Sequence, residues 1–320
     1  MAKINFIVTG GLGFIGRVVT EKLFYKYPQA NILVLDKMGI GSDPNYFENK
    51  NYDRVEVEKC DITDSEHLKY ISQNLDTIDA IFHLAAETHV DRSIHDPESF
   101  VTSNVNGTFN MIFSFKEKFK KFIHISTDEV YGSLNNDDPE SKETDFLNPS
   151  SIYSSTKAGS DLIAKSAFHT YKMPVLITRC CNNFGPYQND EKFIPTIIRN
   201  AYANKPIPVY GNGRNMREWI AVEHHAEALL NLYASGIPGE IYNIGSGYRI
   251  DNIQLVKKIL SIMNKPESLI SFVKDRMGHD ICYKLNSNKI RQIIDLKIYG
   301  DSDFYDFLQL TVEKYISGFK

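Results

Sequence analysis

TGGLGFIG, residues 9–16, follows the apolar run INFIV and opens a stretch with helical spacing near 15–26. Gly10, Gly13 and Gly16, with Phe14 and Ile15 between them, form a G-x-x-G-x-x-G pattern at a strand-to-helix junction. The glycines meet three physical needs, namely a tight turn, a close backbone approach to a pyrophosphate, and close packing of helix on strand, with the helix N-terminus facing the anion. The next apolar run, NILVLD, ends in Asp36, 20 residues beyond Gly16. A carboxylate there suits the two ribose hydroxyls of NAD and repels the extra phosphate of NADP. Asp61 and Ile62, closing a third strand, are candidates to face the adenine. Ala85 and Ala86, in LAAETHVDRS, are small where backbone must lie close to the cofactor.

Working outward, RVEVEKCDI, DAIFHLAA, KFIHIST and PVLITRC follow at spacings wide enough for a helix between each. Near-continuous apolar strands separated by helices indicate a parallel sheet covered on both faces. The expected fold is therefore α/β: a doubly wound parallel (Rossmann) sheet with a smaller C-terminal substrate-binding lobe. Residues 1–181 plus about 217–245 are assigned to the NAD-binding domain, and about 182–216 plus 246–320 to the lobe. EIYNIGS is read as a returning strand and NIQLVKKILSIM as a helix. His83 and His124, inside apolar strands, read as ordinary core or edge histidines.

Composition narrows the function. The 320 residues are 42% hydrophobic and 24% charged, with a net charge of −4, which leaves no basic footprint for nucleic acid or a membrane surface. No apolar stretch approaches the ~18–20 residues of a membrane span, and MAKINFIVTGG does not read as a signal peptide. The four cysteines, Cys60, Cys180, Cys181 and Cys282, form no C-x-x-C pair, so a reduced, cytoplasmic protein without a structural metal site is expected.

Two further stretches carry chemistry. STDEVYG (126–132) puts Asp128 and Glu129 side by side where a strand should end, and YSSTK (153–157) puts Tyr153 and Lys157 one helical turn apart. Adjacent acids at a strand end have a bland explanation, since such ends meet solvent. A tyrosine is too weak an acid to act near neutrality unless a neighbouring ammonium favours the phenolate. Behind a dinucleotide fingerprint, the tyrosine–lysine pair becomes specific.

Together TGGLGFIG, Asp36, LAAETHVDRS, STDEVYG, YSSTK and RCCNNFGPYQ resemble the extended short-chain dehydrogenase/reductase superfamily, and within it the nucleotide-sugar 4,6-dehydratase branch. The resemblance continues through EKFIP, PVYGNG, MREWI, EIYNIG and DRMGHD. It implies that Tyr153, supported by Lys157, takes the sugar 4-hydroxyl proton while the C4 hydride passes to NAD⁺. Glu129 then removes the C5 proton, Asp128 protonates the departing 6-hydroxyl, and Thr127 hydrogen-bonds near O4. Hydride return to C6 gives a 4-keto-6-deoxy sugar. Two like charges in a partly desolvated cleft keep one acid protonated, which accounts for their adjacency. By the same resemblance Asn182, Glu191, Lys192, Arg217, Asn243 and Arg276 hold the nucleotide sugar. Helices near 99–116 and 153–170 correspond to those that pair in a homodimeric four-helix bundle.

The sequence departs from the branch at three places. Asn189 and Asp190 replace a common Phe-Pro, close to the expected sugar position. His224 stands where Asp is usual; it and His225 point apart on a helix and form no metal pair. The loop MGIGSDPNYFENKNYD (38–53) has its own text. The reaction is therefore better fixed than the sugar. Glucose on dTDP or UDP is the default, and UDP-N-acetylglucosamine, with retention or inversion at C5, stays open. A nucleotide-sugar 4-epimerase would not need the Asp128–Glu129 pair, and a non-catalytic NAD-binding scaffold would tolerate loss of the Tyr153 hydroxyl.

Overall fold

The protein is described here by a computed structural model that covers residues 4–48 and 51–318. In chain order its elements are β1 (Ile4–Thr9), α1 (Phe14–Lys26), β2 (Asn31–Asp36), β3 (Val55–Lys59), α2 (Ser65–Gln73), β4 (Ala80–His83), α3 (Val90–His95), α4 (Pro97–Phe100) and α5 (Gly107–Ser114). Then come β5 (Phe122–Thr127), α6 (Ile152–Tyr171), β6 (Val175–Cys180), β7 (Asn182–Phe184), α7 (Phe193–Tyr202), β8 (Ile207–Tyr210), β9 (Met216–Ala221) and α8 (Val222–Ser235). The chain closes with β10 (Ile241–Ile244), β11 (Arg249–Asp251), α9 (Asn252–Ile262), β12 (Ile270–Val273), α10 (Asn288–Arg291) and α11 (Asp301–Gly318).

Seven strands form one parallel sheet in the order β10-β6-β5-β4-β1-β2-β3. Every residue of β4, β5 and β6 is buried, as apolar runs inside a two-faced sheet require. β3, at the edge, is only partly covered. One face packs a core that includes Leu68, Ile71, Met111, Ile112, Phe115 and Ala164, beneath α2, α5 and α6. The other face carries α1 against α8 in a core that runs on into the second lobe through Phe184, Ile197 and Trp219. α4 and α5 are joined by a π-helical segment (Val101–Asn106) with helical backbone throughout, so residues 97–114 form one rod beside α6.

One crossover differs from expectation. Among the described residues between β2 and β3 there is no helix; the segment is a series of turns whose Phe47 and Tyr52 pack with Leu12 and Val34. The aromatic pair does the covering that a crossover helix would have done. The sequence, with DPNY and further asparagines at 49 and 51, carries turn formers and no helical period there.

The second lobe holds a three-stranded sheet, β11-β9-β7, a two-stranded pair, β12-β8, and helices α7, α9 and α11. Because β9 pairs with β7 and β11, the return to the large sheet begins with α8 at Val222 rather than near 217. No helix among the described residues is long and apolar enough to cross a membrane.

Candidate active site

A cleft of about 340 Å³ opens at the C-terminal ends of the large sheet's strands and is closed on its far side by the second lobe. In open α/β sheets this edge is where ligands collect. Gly10, Gly13, Phe14, Ile15, Gly16, Asp36, Asp61, Ile62, Ala85 and Ala86 all line it.

The glycine loop is built for backbone proximity. Gly10 has φ +66°, and a Cβ there would sit 3.0 Å from the backbone of Ala85. A Cβ on Gly16 would lie 2.1 Å from the Gly10 carbonyl oxygen. Gly13 caps α1 without a side-chain partner, so the helix N-terminus faces the cleft unobstructed. The Asp36 carboxylate is oriented by the Leu12 N–H (3.1 Å), the Met38 N–H (2.8 Å) and the Ser42 hydroxyl (2.8 Å). Asp61 accepts from the Thr63 N–H and hydroxyl, and Ile62 packs on Gly107. An exposed helix N-terminus for a diphosphate and an oriented carboxylate for a ribose fit NAD.

At the end of β5 the backbone turns into a short 3₁₀ helix, Asp128–Tyr131. In a strand, neighbouring side chains point to opposite faces. The switch of conformation brings Asp128 and Glu129 to the same cleft. Thr127 stabilises the turn: its hydroxyl accepts the Glu129 N–H at 3.3 Å and donates to Asp128 Oδ1 at 3.2 Å.

Asp128 is buried, and its Oδ2 has no partner. Burial lifts its pKa well above the carboxylate range, and the charges of Glu129 and Glu218 lift it further. Burial raises Glu129 as well, opposed by Arg276, Arg217 and Lys192. Glu129 thus faces three cations that Asp128 largely does not. Of the two acids, burial and neighbouring charge favour the protonated form most strongly at Asp128, while the nearby cations favour the ionised form of Glu129. The rate of any reaction using both should be bell-shaped in pH. Activity falls as pH drops through the raised Glu129 value, and falls again as pH climbs through the raised Asp128 value. A kcat/KM–pH profile, which reports the free enzyme, checks this, and an acid limb at the ordinary glutamate position would contradict it.

Tyr153 and Lys157 lie in the first turns of α6, which starts with a Ser151–Ser154 capping box. Tyr153 is buried and lines the cleft with Lys157. The expected effect of the ammonium on the phenol is not what dominates. Lys157 Nζ donates to the Ile125 carbonyl at 2.7 Å, while burial and then the Glu129 carboxylate hold the phenol well above its usual pKa. Burial brings Lys157 down to about 8, against the opposing charge of Asp161.

Asn182, Glu191 and Lys192 line the cleft. Lys192 Nζ donates to the Thr88 carbonyl at 2.7 Å, and Glu191 meets Arg92 at 3.3 Å. Arg217 and Arg276 stand outside the cavity wall, near Glu129. Arg217 donates to the Asp280 carbonyl (2.9 Å) with its guanidinium over the Tyr283 ring, and Arg276 sits 3.6 Å from Asp91.

Two expectations are corrected. Asn243 does not reach the cleft: it is fully buried, its amide donating to the Ser141 carbonyl (2.9 Å) and accepting from the Tyr131 hydroxyl (2.7 Å). Asp190 turns outward, 3.8 Å from Arg199, so only Asn189 of the departing pair lines the cavity. His224 and His225 do point apart, to the Tyr299 hydroxyl and to Asn183. His83 and His124 are buried in the core as read.

The wall also contains residues the sequence did not single out: Lys37 with its ion partner Glu87, the turn Gly39–Ser42, Thr88, Arg92, Cys180, Cys181, Gln188 and the single tryptophan, Trp219. Thr88 and Arg92 lie inside LAAETHVDRS, and Trp219 inside MREWI, so those motifs were the available signal.

Comparison with known proteins agrees with this geometry. Residues 7–299 match the family described as GDP-mannose 4,6 dehydratase. A dTDP-glucose 4,6-dehydratase of Escherichia coli is 39% identical over 98% of this chain and 94% of its own length. The low-salt glycan biosynthesis protein Agl12 of Haloferax volcanii is 40% identical, covering 98% of this chain and 99% of that one. The crystal structure of DesIV, a dTDP-glucose 4,6-dehydratase from Streptomyces venezuelae with NAD and TYD bound, superposes with a TM-score of 0.92 at 36% identity, over 98% and 97% of the two chains. This chain therefore belongs to the GDP-mannose 4,6-dehydratase family, nucleotide-sugar 4,6-dehydratases built on the extended short-chain dehydrogenase/reductase fold.

Proposed function

We propose that this protein is an NAD-dependent hydro-lyase that converts a nucleoside-diphosphate hexose into its 4-keto-6-deoxy derivative. The observation that carries the reading is the 3₁₀ turn after β5, which aims Thr127, Asp128 and Glu129 into one cleft with Tyr153. NAD, when bound, would supply the hydride acceptor for C4 and, once reduced, the hydride donor for C6.

The chain's own residues manage the protons. Tyr153 takes the proton of the 4-hydroxyl, with Thr127 beside the same oxygen. The 4-ketone acidifies C5–H, Glu129 removes that proton, and a proton is returned to C5 when C6 receives the hydride. Asp128, held protonated by burial, gives its proton to the 6-hydroxyl, which leaves as water. Lys192, Arg217 and Arg276 are suited to the diphosphate, arginine's planar fork binding two phosphate oxygens at once.

Glucose carried by dTDP is the favoured substrate, because the dTDP-glucose 4,6-dehydratases align along nearly the whole chain. Incubation with dTDP-glucose, UDP-glucose and UDP-N-acetylglucosamine should yield a product lighter by one water from the first. An unchanged mass with altered stereochemistry would identify an epimerase instead.

The rod of residues 97–114 and helix α6 leave Val101 45%, Phe109 47% and Leu162 58% exposed, apolar groups that a partner helix pair would cover. These helices are the ones expected to pair as a four-helix bundle, so the enzyme is assigned as a homodimer. A monomer mass by light scattering at micromolar concentration would contradict that. The four free thiols are all buried, in keeping with a cytoplasmic enzyme.

A further inference from the structure

Arg17, one residue past the last glycine of the nucleotide loop, is buried although it lies in the first turn of α1. Its guanidinium stacks between two rings from distant parts of the chain, 5.2 Å from the Tyr46 centroid and 5.3 Å from that of Tyr187. It also donates to the Tyr187 carbonyl. Tyr46 belongs to the turn-rich connection after β2, and Tyr187 to the loop between β7 and α7.

Both loops are set at their other ends by ligand-facing groups. The first is held by Asp36, which accepts from Met38 N–H and the Ser42 hydroxyl. The second leads through Gln188 and Asn189, both on the cavity wall, directly into Glu191 and Lys192. Tyr315 of α11 donates to the Gln188 carbonyl, and Gln188 Nε2 donates to the Asn183 carbonyl at 2.9 Å. The loops touch across the cleft, where a Cβ on Gly41 would lie 2.7 Å from Asn189 Nδ2. Each has a non-glycine residue in the left-handed region, Met38 at φ 59° and Tyr187 at φ 65°. For side chains of that bulk the conformation costs energy and persists only where surrounding contacts hold it.

We infer that Arg17 is a positioning residue that couples the cofactor-binding loop to the wall of the sugar-nucleotide site. A dinucleotide bound at Asp36 holds residues 37–46, and so keeps Tyr46 in its seat on Arg17. Arg17 in turn fixes the Tyr187 carbonyl and so the approach of Asn189, Glu191 and Lys192 to the substrate. The coupling rests on the reading that one cleft takes both NAD and a nucleotide sugar, and it gives the divergent 38–53 loop a role.

Hydrogen exchange of the full chain with and without NAD tests it, because no sugar is needed. NAD should slow exchange at amides 187–190 by about tenfold in the wild type, and by less than about twofold in Arg17→Met, while amides of the α1 N-terminus are protected in both. Equal protection of 187–190 in both proteins would overturn the inference. Should Arg17→Met fail to fold, Tyr46→Leu removes one ring from the stack at a half-exposed position and should cut the protection at 187–190 at least about threefold. Wild-type protection in that variant would likewise overturn the inference. In turnover, Arg17→Met should raise KM for the nucleotide sugar about tenfold with kcat within about twofold. A wild type inactive on every nucleotide sugar would count against the dehydratase reading and leave the exchange result intact.

Discussion

A Tyr153→Phe enzyme is expected to fold, bind NAD, and turn over about 10³-fold more slowly than the wild type. The ring stays: it packs edge-on to Phe100 at 6.4 Å within a buried site, and only the hydroxyl is lost. In the proposed mechanism that hydroxyl takes the 4-hydroxyl proton, and Lys157, the other titratable group in the first turns of α6, donates to the Ile125 carbonyl instead. The loss should therefore appear in kcat with little change in KM, as for an interaction made chiefly in the transition state. A variant retaining more than about a tenth of wild-type kcat would remove Tyr153 from the mechanism. Burial and the Glu129 carboxylate both hold the wild-type phenol up. Neutralising Glu129 should consequently make the phenol easier to ionise, so that the two residues titrate as a linked pair.

Glu129→Gln should reduce dehydration by a comparable factor, about 10³-fold, for a separate reason. Glutamine cannot accept the C5 proton, yet oxidation at C4 does not require it to. Run in D₂O, the wild type should place solvent deuterium at C5. The variant should show none, while a rise in reduced cofactor absorbance on mixing with substrate shows that the first step survives. Deuterium appearing at C5 in Glu129→Gln would assign proton removal to another group. Since Arg276, Arg217 and Lys192 all act on Glu129, the change leaves three cations without their shared anion. Part of the lost rate should then be offset by tighter binding of the substrate diphosphate, read as a lower KM.

What the sequence made legible was what is local. The glycine spacing, Asp36 and the Tyr153–Lys157 pair each depend on a few consecutive residues in one element, and their geometry follows from helix or turn periodicity. Asp128 and Glu129 were legible as a pair, but their convergence depends on the strand ending at Thr127 and a 3₁₀ turn replacing it. The sheet that β9 joins was not legible, because it reads as a strand either way; only its pairing with β7 and β11 says which sheet it belongs to. Asn243 is polar in an apolar strand, a pattern shared by ligand contacts and by internal ties, and its partners Ser141 and Tyr131 are about 100 residues away along the chain (102 and 112). Arg17 gave no local sign, because its partners come from separate loops.

The turn after β5 also has a genetic consequence. In the proposed mechanism, oxidation at C4 draws on α1, Asp36, Tyr153 and Lys157, spread over more than a hundred positions, whereas water loss draws on two neighbouring codons. A gene on this scaffold can therefore gain or shed elimination through changes in a single short word of its text, with the redox apparatus untouched. Lineages that lose Asp128 and Glu129 would keep a working sugar oxidant, ready to be put to another use.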